Sequence, residues 1–317
     1  MAASGLATNA DVHSPVLYQQ VLSALEPQAG ARYIDGTIGA GGHAYGVLEA
    51  SSPDGELLGL DHDPAAVALA RRRLKPFGKR AIIRQGSFAE MNAHAASVGW
   101  RAVQGVLLDL GLSSMQLDGA ERGFSFRAEG PLDMRFDPSQ PVTAADLVNG
   151  LPERDLADLL ARYGEERQAR KIAQAIIAAR PLHTTTALAE VVASVVKRTR
   201  AGLHPATLTF QALRIAVNDE LRTLEVGLEQ AVPILAAGGR LLVISFHSLE
   251  DRVVKRFLRQ ESMDCICPPE RPMCTCGHRA RLRLHTRRPI RPDEAEVQVN
   301  PRARSARLRV AERLEVA

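Results

Sequence analysis

Apolar positions follow two rhythms that alternate along the chain. Short apolar runs appear at Tyr33-Ile34, Leu57-Leu58-Gly59-Leu60, Ala81 to Arg84, Val106-Leu107-Leu108 and Leu241 to Ile244, and each ends in a polar residue or a glycine. Continuous runs of this length predict strands buried on both faces, as in a parallel sheet. Between them the spacing turns helical. Val16, Leu17, Val21, Leu22 and Leu25 predict a leading helix over His13 to Leu25, and Ala44 to Ala50 a second. A third is expected to start near Pro64, with Asp63 as its cap. Strand and helix in alternation predict an α/β domain whose ligand crevice lies outside the carboxyl ends of the strands.

The rhythm changes after the fourth strand. Roughly 130 residues separate it from the next strand signal, at Gly238 to Phe246, far more than a crossover needs, so a further domain is expected in between. Its pattern is helical, with stripes at Leu156, Leu159, Leu160 and Tyr163, at Ile172, Ala175, Ile176 and Ala179, and at Leu188, Val191, Val192, Val195 and Val196. Arg180-Pro181 and Leu203-His204-Pro205 punctuate them, and Thr207 to Leu235 reads as one long helix carrying Phe210, Arg214 and Asn218 on one face. On that face Arg214 either touches phosphate or pairs with Asp219, Glu220 or a carbonyl. Residues 111–137 have no period. Their aromatics and arginines, including Arg122, Phe124 and Arg135, suit either stacking and phosphate contact with an extruded base or packing between the two domains.

The candidate chemistry sits at the strand ends. Gly36-Thr37-Ile38-Gly39-Ala40-Gly41-Gly42-His43 follows the first strand and opens a helix, so glycines admit a close ligand and free N–H groups face it. Asp61 ends the next strand about 20 residues on, where such folds hold ribose hydroxyls; the alternative is that it merely caps a helix. Phe88 follows the third strand, placed to stack on a purine or to plug the loop against the core. Asp109 ends the fourth. A pyrophosphate cofactor such as NAD is disfavoured by Asp35, which ends the first strand beside the loop. Acids there suit the ammonium and sulfonium of S-adenosyl-L-methionine.

Composition excludes fibrous, disordered and membrane-spanning classes: 45% of the 317 residues are hydrophobic and 24% charged, with no long uninterrupted apolar stretch. The N-terminus lacks a signal-peptide pattern, so a cytoplasmic location is expected. Residues 251–317 carry 16 Lys/Arg against 9 Asp/Glu, in a chain of net charge +4. That surplus suits a polyanion such as RNA, or else a solvated basic surface. All four cysteines, Cys265, Cys267, Cys274 and Cys276, fall within twelve residues, which argues against a disulfide framework. They form a zinc ligand set or a plain surface loop, since C-x-C spacing is less usual for zinc than C-x2-C. His247-Ser248 with Glu250-Asp251 mimics a hydrolase triad, but residues so close in sequence cannot converge on one atom. Ser248 and Asp251 fit a helix capping box instead.

Taken together, the segments resemble the bacterial 16S rRNA cytosine-N4 methyltransferases of the RsmH/MraW type. The likeness rests on His13-Ser-Pro-Val-Leu17, Tyr33 to His43, Asp61-His-Asp-Pro64, Leu107 to Gly111 with Ser113, Ser114 and Gln116, Arg122-Gly-Phe-Ser-Phe126, and Gly130 to Arg135. It continues through Tyr163 to Arg167, His204 to Thr207, Phe210 to Arg214, Ile244 to Arg252 and Asn300 to Ser305. The resemblance implies a Rossmann-like class I S-adenosylmethionine-dependent methyltransferase sheet in two parts, residues 1–112 and 215–317, around an inserted helical, RNA-recognition domain at 113–214. It implies a cofactor site at Gly41, Gly42, His43, Asp61, Phe88, Asp109 and Gln116. The implied substrate is the N4 amine of cytidine 1402 of 16S rRNA in the 30S ribosomal subunit. Asp109 and the Leu110 carbonyl are the candidate acceptors for that amine, and Arg122, Phe124, Arg135 and Arg214 the candidate RNA contacts. The cysteine segment departs from the family pattern. A homodimer remains open, with no residue arguing for it, and a non-catalytic assembly factor keeping the same pocket is the alternative function.

Overall fold

The computed structural model describes residues 15–196, 204–271 and 273–315; His13 and Ser14 of the first motif lie outside them. The chain begins α1 (Tyr18–Leu25), β1 (Arg32–Asp35), α2 (Gly42–Ala50), β2 (Glu56–Asp61), α3 (Pro64–Arg73), β3 (Ala81–Gln85), α4 (Met91–Ser97) and β4 (Val103–Asp109). There follow α5 (Ser114–Asp118), α6 (Ala144–Gly150), α7 (Glu153–Gly164), α8 (Ala169–Ala179), α9 (Thr185–Val195) and α10 (Thr207–Asn218). The chain returns through α11 (Glu220–Ile234), β5 (Leu235–Ser245), α12 (Ser248–Glu261), β6 (Leu282–Leu284), α13 (Glu294–Val299) and β7 (Arg307–Arg313).

The strands form one sheet in the order β3-β2-β1-β4-β5-β7-β6. Strands β1 to β5 are parallel, and β7 runs antiparallel between β5 and β6. The order reverses at β1, with β2 on one side and β4 on the other, which makes the space outside the ends of β1 and β4 the topological switch point. The apolar runs of β1, β2, β4 and β5 are buried on both faces as expected, whereas Ala81 to Arg84 of the edge strand β3 are only half-buried. Ile34, Leu58, Val106, Leu108 and Val243 pack with α4, α11 and α12 on one side, while Tyr33, Leu57, Leu107 and Leu242 pack with α1, α2 and α3 on the other.

A third, separate core lies in the insertion. Leu156 and Leu160 of α7, Ile172 and Ile176 of α8, Leu188 and Val192 of α9 and Phe210 and Leu213 of α10 are buried against one another. The predicted stripes hold except that Ala173, rather than Ala179, completes the face of α8.

Three local expectations are corrected. The leading helix starts at Tyr18 because Leu17 adopts a left-handed conformation, φ 55°. Thr207 to Leu235 is two helices: Asp219 takes φ 47° and breaks them, so α10 joins the insertion's core while α11 joins the sheet's. The capping box of α12 is one residue earlier than expected. His247 Nδ1 accepts from the Glu250 N–H at 3.3 Å and Glu250 Oε2 from the His247 N–H at 3.2 Å. Asp251 instead accepts from Arg307 and Arg309 of β7, each at 2.8 Å. Ser248 is no nucleophile of a triad; its hydroxyl donates to Glu165. No helix among the described residues is long and apolar enough to cross a membrane.

Candidate functional site

Adjacent strands β2, β1 and β4 end in Asp61, Asp35 and Asp109, and this adjacency gathers three carboxylates on one rim. The glycine loop is stitched across them. Gly36 N–H donates to the Leu107 carbonyl (2.9 Å) and Ile38 N–H to that of Leu60 (2.8 Å), one neighbour on each side. Thr37 N–H donates to Asp35 Oδ1 (3.1 Å), Gly39 N–H to Asp61 Oδ2 (2.9 Å), and Asp109 N–H to Thr37 Oγ1 (2.6 Å). Close approach explains the glycines: a Cβ on Gly36 would lie 2.5 Å from Leu108 Cδ2, and one on Gly42 2.5 Å from Pro15 Cγ. Gly41 takes φ 78° where α2 begins, so the free N–H groups of that helix open onto the rim.

The rim is short of positive charge. Asp35 is 2% exposed, and burial pushes its carboxyl up to about 7, opposed by His43 and reinforced by Asp109 and Asp61. Burial likewise lifts Asp61 to about 6, against the N–H groups of Asp63 and Gly39. His43 is buried with its Nε2 3.5 Å from Asp109 Oδ2, its ring stacked on Tyr18. Among the described residues neither His43 nitrogen nor Asp109 Oδ1 has a hydrogen-bond partner. Buried polar atoms without partners are costly and uncommon, and here they face carboxylates that favour protons. A ligand bringing positive charge and hydrogen-bond donors satisfies both conditions.

Gly41, Gly42, His43, Asp61 and Asp109 therefore meet on this rim. Phe88 and Gln116 are positioned differently. Phe88, 8% exposed, is wedged between Gly36 and Gly227, where a Cβ on either glycine would collide with it. Gln116 completes a capping box with Ser113 and donates from Nε2 to Asp63 Oδ2 at 3.0 Å. Asp63 is fully buried and caps α3 by accepting from Ala65 N–H (3.0 Å).

The four expected RNA contacts have internal partners. Arg122 donates to Asp63 Oδ2 (3.0 Å) and to the carbonyls of Arg135 and Phe136. Phe124 is buried in the insertion's core and stacks on Phe136 at 5.5 Å. Arg135 pairs with Asp133 (2.7 Å) and donates to the Gln140 carbonyl. Arg214 makes two bonds to Glu220, at 2.7 and 2.8 Å, across the break at Asp219. The aperiodic loop packs against the helices of residues 144–218 through Phe124, Leu132 and Met134, while Arg122 ties it to Asp63 at the start of α3.

Sequence reasoning missed Thr37, whose hydroxyl and N–H tie the ends of β4 and β1 together; it offered Glu220 as a partner of Arg214, which the structure shows, but missed that His247 and Glu250 gather beside Glu220. The signal for the latter was present in His247 followed three residues later by Glu250, a capping pattern with an unusual first member.

A family model described as the MraW methylase family matches residues 10–314. A protein of Thermomicrobium roseum called ribosomal RNA small subunit methyltransferase H is 54% identical over 305 residues, covering 95% of this chain and 94% of that one. Proteins with the same description from Geobacter sulfurreducens (53%, 95% of this chain and 99% of that one) and Dehalococcoides mccartyi (50%, 95% and 86%) are also similar.

Proposed function

Because the chain belongs to the MraW methylase family, we propose that it methylates the exocyclic N4 amine of a cytidine in small-subunit ribosomal RNA, cytidine 1402 of 16S rRNA. At the level of the family it is an S-adenosyl-L-methionine-dependent methyltransferase of class I fold acting on that RNA. The observation that carries the reading is the pair of orphaned groups, His43 and Asp109 Oδ1, beside buried carboxylates at the switch point of the sheet.

The residues present fit the cofactor. Three carboxylates answer its two positive charges, the start of α2 offers N–H groups to its carboxylate, and Asp61 keeps lone pairs for ribose hydroxyls after accepting two backbone N–H groups. When bound, this cofactor supplies a methyl group on a positively charged sulfur. The cytosine amine is a poor nucleophile because its lone pair is delocalised into the ring, so positioning matters most. Asp109 Oδ1 is the acceptor assigned to an amine hydrogen as the nitrogen pyramidalises, and the N–H bond from Asp109 to Thr37 fixes the backbone that presents it. His43 limits the freedom of the other oxygen at 3.5 Å.

The test is nucleoside mass spectrometry on small-subunit RNA from cells with and without this protein. N4-methylcytidine should fall in the deletion strain and return with the wild-type gene. Unchanged content would remove the reading.

A further inference from the structure

The cysteine loop between α12 and β6 is unrelated to the rim, and its geometry is that of a metal knuckle. We propose that Cys265, Cys267, Cys274 and Cys276 bind one structural zinc ion.

All four sulfurs lie within 4.8 Å of one another. Cys274 and Cys276 are 3.6 Å apart and Cys276 and Cys265 3.9 Å. Zinc–sulfur bonds of about 2.3 Å in a tetrahedron place the sulfurs about 3.8 Å apart, a value these two separations straddle.

The two C-x-C arms are also related to each other reciprocally. The N–H of Ile266, in the middle of the first arm, donates to Cys276 Sγ at 3.5 Å; the N–H of Thr275, in the middle of the second, donates to Cys267 Sγ at 3.4 Å. Cys265 Sγ accepts from the Cys267 N–H, also at 3.4 Å. Backbone N–H groups aimed at sulfur favour the thiolate, the form that binds metal.

Hydrogen bonds from His278 to the Gln260 carbonyl and from Ala280 N–H to Asp264 join the base of this loop, but apolar packing does not hold its tip. No described residue from 262 to 281 is buried, and the apolar side chains of Ile266 and Met273 are 38% and 76% exposed. The base is closed by Arg281 N–H donating to the Glu261 carbonyl (2.8 Å), but the tip has no apolar core, and segments of this kind are commonly held by a metal. Four thiolates fill zinc's coordination, leaving no open position for catalysis. The thiol protons are released as the ion binds, and the resulting dianionic centre lies in a segment that carries Arg271 between its two arms and Arg279 and Arg281 after them.

The experiment measures metal in the full chain, purified without chelators or an affinity tag that binds metal. About one zinc per chain is expected, with X-ray absorption showing four sulfur ligands at about 2.3 Å. The double variant Cys274→Ser/Cys276→Ser should lose the zinc while binding S-adenosyl-L-methionine within about twofold of wild type, since the loop does not touch the rim. Should that variant fail to fold, replacing the metal of the wild-type chain with cobalt is expected to give the visible bands of a tetrahedral thiolate site. Less than about a tenth of a zinc per chain from zinc-supplemented cells, iron with inorganic sulfide in its place, or zinc retained by the double variant would each overturn the assignment.

Discussion

Replacing Asp35 with asparagine separates what the rim costs in stability from what it does for binding. The carboxyl is buried, and its affinity for a proton rises from the usual 3.8 to about 7 on folding. The folded state therefore holds this proton longer than the unfolded chain. The stabilisation is complete below the unfolded value and is lost as pH rises through the folded one. A shift of just over three units at 1.36 kcal/mol each means about 4 kcal/mol lost between pH 4 and pH 8. The asparagine side chain keeps an oxygen to accept the Thr37 N–H and does not titrate. Urea unfolding of the ligand-free protein should thus find wild type and Asp35→Asn equally stable near pH 4, and the variant more stable at pH 8 by about 4 kcal/mol, less whatever Asp61 takes up by coupling. Calorimetry should show the opposite preference for ligand. A nearby sulfonium and ammonium favour the ionised carboxyl, so wild type should bind S-adenosyl-L-methionine more tightly as pH rises from 5 to 8, and the variant at least about tenfold more weakly at pH 8, equivalent to 1.4 kcal/mol. Parallel stability curves for the two proteins, or a variant that is less stable at pH 8, would show that Asp35 does not carry a raised affinity for protons.

Three further perturbations probe the same construction. Gly36→Ala pushes a methyl against Leu108 and Phe88 and should cost about 1–3 kcal/mol in urea unfolding, with cofactor affinity reduced as the loop shifts; full stability would mean the loop is not close-packed. Glu220→Gln removes the carboxylate bonded to the Arg214 guanidinium, leaving Glu250 as the nearby negative charge, and should destabilise the protein by about 3 kcal/mol, while a loss under about 1 kcal/mol would mean that water or Glu250 compensates. Asp109→Ala should lower the rate of methyl transfer to small-subunit RNA about a hundredfold under saturating cofactor, and a near-normal rate would exclude Asp109 as the acceptor for the amine.

Much of this molecule was legible along the chain because the signals are local. Strand and helix periods, the Asp63-Pro64 start of α3 and the glycine loop after β1 each depend on residues within a turn or two of one another. The helical segment between β4 and β5, with its own core, was legible too, from the mere length of chain between two strand signals. The break at Asp219 was not, because nothing in the apolar period of 207–235 marks it; the left-handed residue is held by Arg214 reaching across to Glu220.

Partner choice was decided only in three dimensions. A sequence shows that Arg122, Arg135 and Arg214 are cations near aromatics, but a guanidinium takes whichever carboxylate folding brings within reach, and here these are Asp63, Asp133 and Glu220. Phe88 follows the same rule, since Gly36 and Gly227 make a slot for it from opposite ends of the chain. The acids that end the strands could be read from the sequence one by one. Their raised proton affinities could not, because those depend on the depth of burial and on the adjacency of β2, β1 and β4, and both come from the order in which the strands assemble.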